Sequence, residues 1–323
     1  FQKILIVILT ILWGVLSVQA QSVNMDRYIT LTVKQGAAVL INIAANADNT
    51  QVKIVSGSEE RTIIVGTSWT GQKSYTAGAT TMTLYGNIQK LNCNDNMEDV
   101  SGLDVSHNDL LTVLECSNNS ITTLDMSKNT NLVTMQCSDN SLTSLNISNS
   151  AKLRTLGCYN NSLSSLDVSK NEKLISLQCA DNFLTTLDVS SCTNLKTLNC
   201  FNNNLTTLDV SKNTQLRIIY CFSNKLTSLD VSKNTLLTEL WCYQNKIDML
   251  DISHNIQLTD LICSSNQLKY LDVSNNRQLK RLWCWGNRFS TEALDDIFCA
   301  LPYRKPSDDA NIQPVFSVSS KEE

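Results

Sequence analysis

The chain has 323 residues, 42% of them hydrophobic, enough for a sizeable core and by length alone one to three domains. Its formal net charge is -4 and its Lys and Arg residues are dispersed, so the basic stripe that a nucleic-acid binder needs is missing. Twelve cysteines would ordinarily signal a disulfide framework in an exported protein, but their spacing points elsewhere.

Residues 1–20, FQKILIVILTILWGVLSVQA, join Lys3 to an apolar run from Ile4 to about Val18 and close on the small-residue pattern Val18-Gln19-Ala20. This predicts a secretory signal peptide cleaved after Ala20, and a secreted or cell-surface protein. The run falls short of the roughly 20 residues that span a bilayer, and no second run of that length follows, so the mature chain is expected without a membrane span. The chain starts with Phe1, not Met, so residues are expected to be missing before it. Residues 21–86 contain YITLTV, VLINIA, VKIV, TIIV and TTMTLY, β-branched runs separated by Gly, Ser, Asn and Asp clusters. They predict a small all-β domain that pairs with or covers what comes next.

Ten of the twelve cysteines fall at 93, 116, 137, 158, 179, 200, 221, 242, 263 and 284, one step of 23 followed by eight of 21. Three residues after each comes an asparagine, and five and two residues before it the chain is aliphatic, as in Leu195 and Leu198 before Cys200. The unit is LxxLxCxxNxLxxLDVSxNxx, and sustained self-similarity at this period predicts a solenoid over residues 87–289 with ten strands. In LxC the side chains alternate, so Leu198 and Cys200 face a core while Asn199 and Phe201 face outward. In-register cysteines on parallel strands would sit about 4.8 Å apart, beyond the ~3.5–4.5 Å that a disulfide needs. Reduced, buried and unreactive thiols follow, with no metal, since a linear ladder offers no tetrahedral geometry.

The motif resembles the leucine-rich repeat, LxxLxLxxNxL, with cysteine in place of the third leucine. A 21-residue repeat with cysteine at that place is similar to the internalin J type of bacterial internalin, over residues 88–289. The resemblance implies a leucine-rich repeat solenoid with a parallel β-sheet on the concave face and a mostly irregular convex face. It also implies a surface protein that engages a host protein by adhesion, with a part in virulence.

The second half of the unit carries a column of aspartates, at 104, 125, 167, 188, 209, 230, 251 and 272, with Asn146 as the exception. Asp and Ser in turns bond nearby backbone, which explains this column without calcium, whose loop sites collect several oxygens around one ion. The variable residue between Ser and Asn accounts for both histidines, His107 and His254; neither has a partner in a catalytic motif. No phosphate loop is present, and the chain is expected to be no enzyme and to use no cofactor. Two cysteines stand outside the ladder, Cys192 at the turn position held by Asn171 and Asn213, and Cys299 beyond the last repeat. Each is expected as a free thiol or as a link to another chain.

At the C-terminal end, Ser290 or Thr291 is the predicted N-cap of a helix over residues 290–302. Leu294, Ile297, Phe298 and Leu301 would share one face, Pro302 would stop it, and the helix would close the core. Residues 303–323 form a polar tail apart from VFSV, with no anchor signal.

Function is expected on the outward residues either side of each ladder cysteine. The first three repeats place Asn92, Asn94, Glu115, Ser117, Gln136 and Ser138 there, all polar. The fourth brings Tyr159, and the sixth to tenth bring Phe201, Tyr220, Phe222, Trp241, Tyr243, Trp283 and Trp285, interrupted by Asn199, Ile262 and Ser264. Such a band predicts a protein-binding patch on a chain expected to be monomeric. Two alternatives stand beside it: a glycan stacked on the same rings, and mutual packing of the rings or cover by the tail.

Overall fold

The computed structural model describes residues 22–301. The predicted signal peptide, the last residue of the predicted helix segment and the tail 303–323 lie outside these residues. Six strands precede the repeats: β1 (Tyr28–Val33), β2 (Ala38–Ala45), β3 (Thr50–Ser56), β4 (Glu59–Val65), β5 (Lys73–Thr76) and β6 (Thr81–Tyr85). Five correspond to the β-branched runs of the sequence. The short β5, KSYT, has one buried residue, Tyr75, and too little alternation to register as a run.

The repeats begin with β7 (Ile88–Asn92) and β8 (Val100–Asp104), and continue with one short strand per turn. These are β9 (Val113–Glu115), β10 (Thr134–Gln136), β11 (Thr155–Gly157), β12 (Ser176–Gln178), β13 (Thr197–Asn199), β14 (Ile218–Tyr220), β15 (Glu239–Trp241), β16 (Asp260–Ile262) and β17 (Arg281–Trp283). From β7 through β9 to β17 the strands are parallel and strictly in register, Leu198 opposite Leu177 on one side and Ile219 on the other. The register is fixed because a slip of one residue would turn Leu and Cys out of the core.

Each turn contributes the same set of apolar side chains. In the sixth repeat Leu195, Leu198, Cys200, Leu205, Leu208 and Val210 are all 7% exposed or less. After the strand the chain bends sharply at a residue in the left-handed region, such as Asp181 (φ 51), Asn202 (φ 50) or Ser223 (φ 52). Asn and Asp tolerate that conformation better than other side chains, which is why they recur there.

Two asparagine ladders hold successive turns together. In the inner one Asn203 Nδ2 donates to Cys200 O (3.2 Å) and to Cys179 O of the preceding turn (3.0 Å), while its Oδ1 accepts from Leu184 N (2.9 Å). The side chain thus supplies donor and acceptor where the strand pairing ends. In the outer ladder Asn213 Nδ2 donates to Val189 O and Cys192 O, both at 2.9 Å. Cys192 takes the asparagine position in its own turn, is fully buried, and points its thiol at Val168 O and Asn171 O, each 3.7 Å away. That burial overturns a link from Cys192 to another chain. Cys299 is exposed, and all twelve thiols are free.

The N-terminal strands extend both walls of the solenoid. β2 pairs antiparallel with β7 on the concave side, and β1 pairs antiparallel with β8 on the other. The two sheets, in order β4-β3-β6-β1-β8 and β17 through β9-β7-β2-β5, therefore share one core with the repeats. At the other end α1 (Thr291–Ala300) is capped by Ser290, whose side chain accepts from Ala293 N at 3.1 Å. It buries Ala293 and Ile297; Phe298, predicted on the buried face, is 43% exposed. The apolar stripe is one residue narrower than the pattern implied because only one face of the helix meets the last turn.

Candidate functional site

The outward side chains of the sheet stand in columns, one residue per turn. Strand spacing of about 4.8 Å brings equivalent side chains into contact, so like residues in adjacent turns stack. One residue after each ladder cysteine, Phe201, Phe222 and Tyr243 form a continuous stack: Phe201 to Phe222 is 4.2 Å between centroids with 10° between planes, and Phe222 to Tyr243 is 4.2 Å and 9°. One residue before the cysteine, Tyr220 and Trp241 stack at 4.3 Å and 26°. Phe222 joins the two columns, tilted against Trp241 at 6.4 Å. Five of the eight predicted site residues are therefore mutual neighbours, each half-buried by the others.

The other three stand apart. Trp283 and Trp285 are each 39% exposed, one turn beyond Ile262 and Ser264, which are 4% and 1% exposed between the flanking rings. Tyr159 is separated from Phe201 by Ala180, which is fully buried. Burial, then the neighbouring Asp139, raises the Tyr159 hydroxyl above the usual phenol range.

A third column belongs to the face and lies three residues before each cysteine, at the start of each strand. It carries Ile218, Glu239, Asp260 and Arg281 along the same turns as the aromatic rings. The hydroxyl of Tyr220 donates to Glu239 Oε2, and burial together with this carboxylate pushes the phenol far above its ordinary range. Arg281 pairs with Asp260 at 3.1 Å. The strand alternation that exposes the residue before the cysteine also exposes the residue two earlier, so the sequence carried this signal.

The cysteines and aspartates play scaffold roles. Burial pushes the Cys179 and Cys242 thiols up to about 12. Each aspartate accepts from the backbone of the serine two residues on, as Ser211 N to Asp209 Oδ1 (2.9 Å), and at Asp167, Asp209, Asp230 and Asp251 these bonds hold the carboxyl below its usual range. Asn146 makes the same turn, accepting from Ser148 N at 3.1 Å. No cluster of His, Cys, Asp or Glu among the described residues could hold a metal ion. No helix among them is long and apolar enough to cross a membrane.

No protein-family model matches the chain, and no curated protein does. Among solved structures, the functional domain of InlJ from Listeria monocytogenes, which includes a cysteine ladder, is similar with 39% identity and a TM-score of 0.64. That match covers 70% of this chain and 50% of the other, so this chain spans half the length of the InlJ domain. A leucine-rich repeat protein of Leptospira interrogans shares the fold at 24% identity and a TM-score of 0.58, over 65% of this chain and 61% of its own. The plant peptide hormone receptor RGFR1, solved in complex with RGF2, does so at 22% identity and a TM-score of 0.54, over 60% and 35%.

Proposed function

We propose that this leucine-rich repeat protein of the internalin type is an exported, adhesion-type scaffold that binds a protein on its concave face, across the sixth to tenth repeats. The contact residues are Phe201, Tyr220, Phe222, Trp241, Tyr243, Trp283 and Trp285, rimmed by Glu239, Asp260 and Arg281. Tyr159 belongs to the edge of this surface. Export rests on the apolar leader at 1–20.

The observation that carries the reading is the way the rings stack. Within the two columns Phe222 has both ring faces covered by its neighbours and each of the other four rings has one, along the solenoid axis, which turns ring edges toward solvent. A sugar stacks on a ring face, and an edge-on apolar strip bordered by charges is the surface that a protein partner fits. The partner is expected to be an extracellular protein, consistent with a fold that serves a peptide hormone receptor in RGFR1. A glycan reading is favoured only at Trp283 and Trp285, for which no ring partner exists among the described residues.

The test is the double variant Trp283→Ala, Trp285→Ala, chosen because these rings support no stack. Loss of a cross-linked extracellular protein partner with unchanged thermal unfolding is the expected result. Undiminished capture by the variant, or specific signals on a glycan array with no protein captured, would remove the reading.

A further inference from the structure

Along one edge of the solenoid, before the strands begin, five cations gather in four consecutive turns. Arg154, Lys196 and Arg217 lie four residues before their ladder cysteines, and Lys152 and Lys173 lie six before theirs. All five are exposed. Arg154, Lys173 and Lys196 line an open cavity of about 480 Å³ with Ile175, Asn194 and Gln215. That volume lies within the range of small-ligand sites, about 300–1,000 Å³.

No carboxylate lines this cavity, and none of the five makes an ion pair among the described residues. Lys152 reaches only Asn131 Oδ1 (2.7 Å), and Glu172, adjacent to Lys173 in the chain, pairs with none of them. Other acidic side chains of these turns are engaged elsewhere: Asp167, Asp188 and Asp209 in their own turns, and Asp181 with Asn202 Nδ2 at 2.5 Å. Like charges gathered without ion-pair partners repel one another and raise the local concentration of anions.

The cluster is local. Four residues before the cysteine the first three turns carry Gln89, Thr112 and Val133, and the eighth to tenth carry Thr238, Thr259 and Lys280. Thr238 and Thr259 both donate to backbone of the preceding turn at 3.0 Å. A requirement of the scaffold would recur in every turn, as the asparagines do; these cations gather in the fourth to seventh turns, around the cavity, and Lys280 in the tenth stands three turns away.

We infer that this edge is an anion-binding site for a sulfated polysaccharide, distinct from the aromatic face. A linear polyanion running along the solenoid meets one cation per turn, and guanidinium and ammonium groups in a row suit sulfate oxygens. The carboxamide of Gln215 suits hydroxyls, as does that of Asn194 beside its bond to Glu172 O at 3.2 Å. A peptide ligand would call for apolar anchors, and this cavity offers only Ile175.

Titration calorimetry of the whole chain with a size-defined heparin oligosaccharide tests the site. Expected are binding that weakens steeply as salt rises, and a loss of about tenfold or more in affinity for Arg154→Gln, Lys173→Gln, Lys196→Gln. The variant Lys225→Gln, Lys246→Gln, Lys269→Gln removes the same charge from the segments that follow the strands and is expected to bind as the parent does. These side chains are exposed, so circular dichroism of both variants is expected to match the parent. The inference is overturned if the parent does not bind, if the second variant loses as much as the first, or if a polyglutamate peptide binds as tightly as heparin.

Discussion

The rings of Phe222 and Tyr243, 21 residues apart, lie 4.2 Å from each other and 9° from parallel, and Phe201 covers the opposite face of Phe222 at the same distance. Phe222→Ala removes both stacks, each worth about 0.5–1.5 kcal/mol beyond area burial, for an expected loss of about 1–3 kcal/mol. Trp283→Ala removes no stack and is expected to cost under about 1 kcal/mol. Denaturant unfolding of the two variants checks the order, and equal losses would mean that stacking contributes nothing to stability.

Asn203 joins two turns through Cys179 O, Cys200 O and Leu184 N. Asn203→Ala leaves the buried Leu184 N without its acceptor and takes one of two asparagine donors from each of Cys179 O and Cys200 O, and is expected to destabilise by about 1–3 kcal/mol. Thr206→Ala, three residues later and exposed, is the comparison and is expected to cost less than about 0.5 kcal/mol.

Cys192 fills a position that asparagine holds in most other turns, and its thiol reaches Val168 O and Asn171 O only at 3.7 Å. Asn213 makes the equivalent bonds at 2.9 Å. Cys192→Asn is therefore expected to stabilise the chain by about 0.5–1.5 kcal/mol, read as a higher unfolding midpoint. A lower midpoint would show that the larger side chain does not fit this turn.

The thiols give an alkaline limit. Burial raises Cys179 and Cys242 to about 12, while the same groups in the unfolded chain ionise near 8.5. A raised pKa contributes stability that is fully present below the unfolded value and lost as pH rises toward the folded one. Unfolding midpoints are expected to fall from about pH 9 upward. In the native state a thiol reagent is expected to modify Cys299 alone, and the remaining thiols only on unfolding.

The aspartates give an acid limit of the opposite sign. Bonds from Ser169, Ser211, Ser232 and Ser253 hold Asp167, Asp209, Asp230 and Asp251 below the ordinary range. Their contribution is present above the unfolded value near 3.9 and is lost as pH falls through the lower folded values. The midpoint is expected to decline below about pH 4, and less so in a variant with Asp209→Asn and Asp230→Asn. Equal acid sensitivity in that variant would assign the decline to other carboxyls.

The sequence by itself determined the solenoid, its core and its ladders. A 21-residue step repeated in register gives every Leu198, Cys200 and Asn203 the same neighbours as its counterparts, so one unit stands for all. It also located the aromatic side chains, because strand alternation alone decides which residues face out. Tertiary structure decided what those side chains do. Whether Phe222 spends its face on Tyr243, whether Tyr220 bonds Glu239, and whether Lys173 and Arg154 share a cavity depend on side-chain directions across turns. Equally, β1 and β2 extending both walls of the first repeat is a pairing between segments more than 40 residues apart. Periodicity fixes which residues are neighbours, but only packing fixes which of their surfaces remain for a partner.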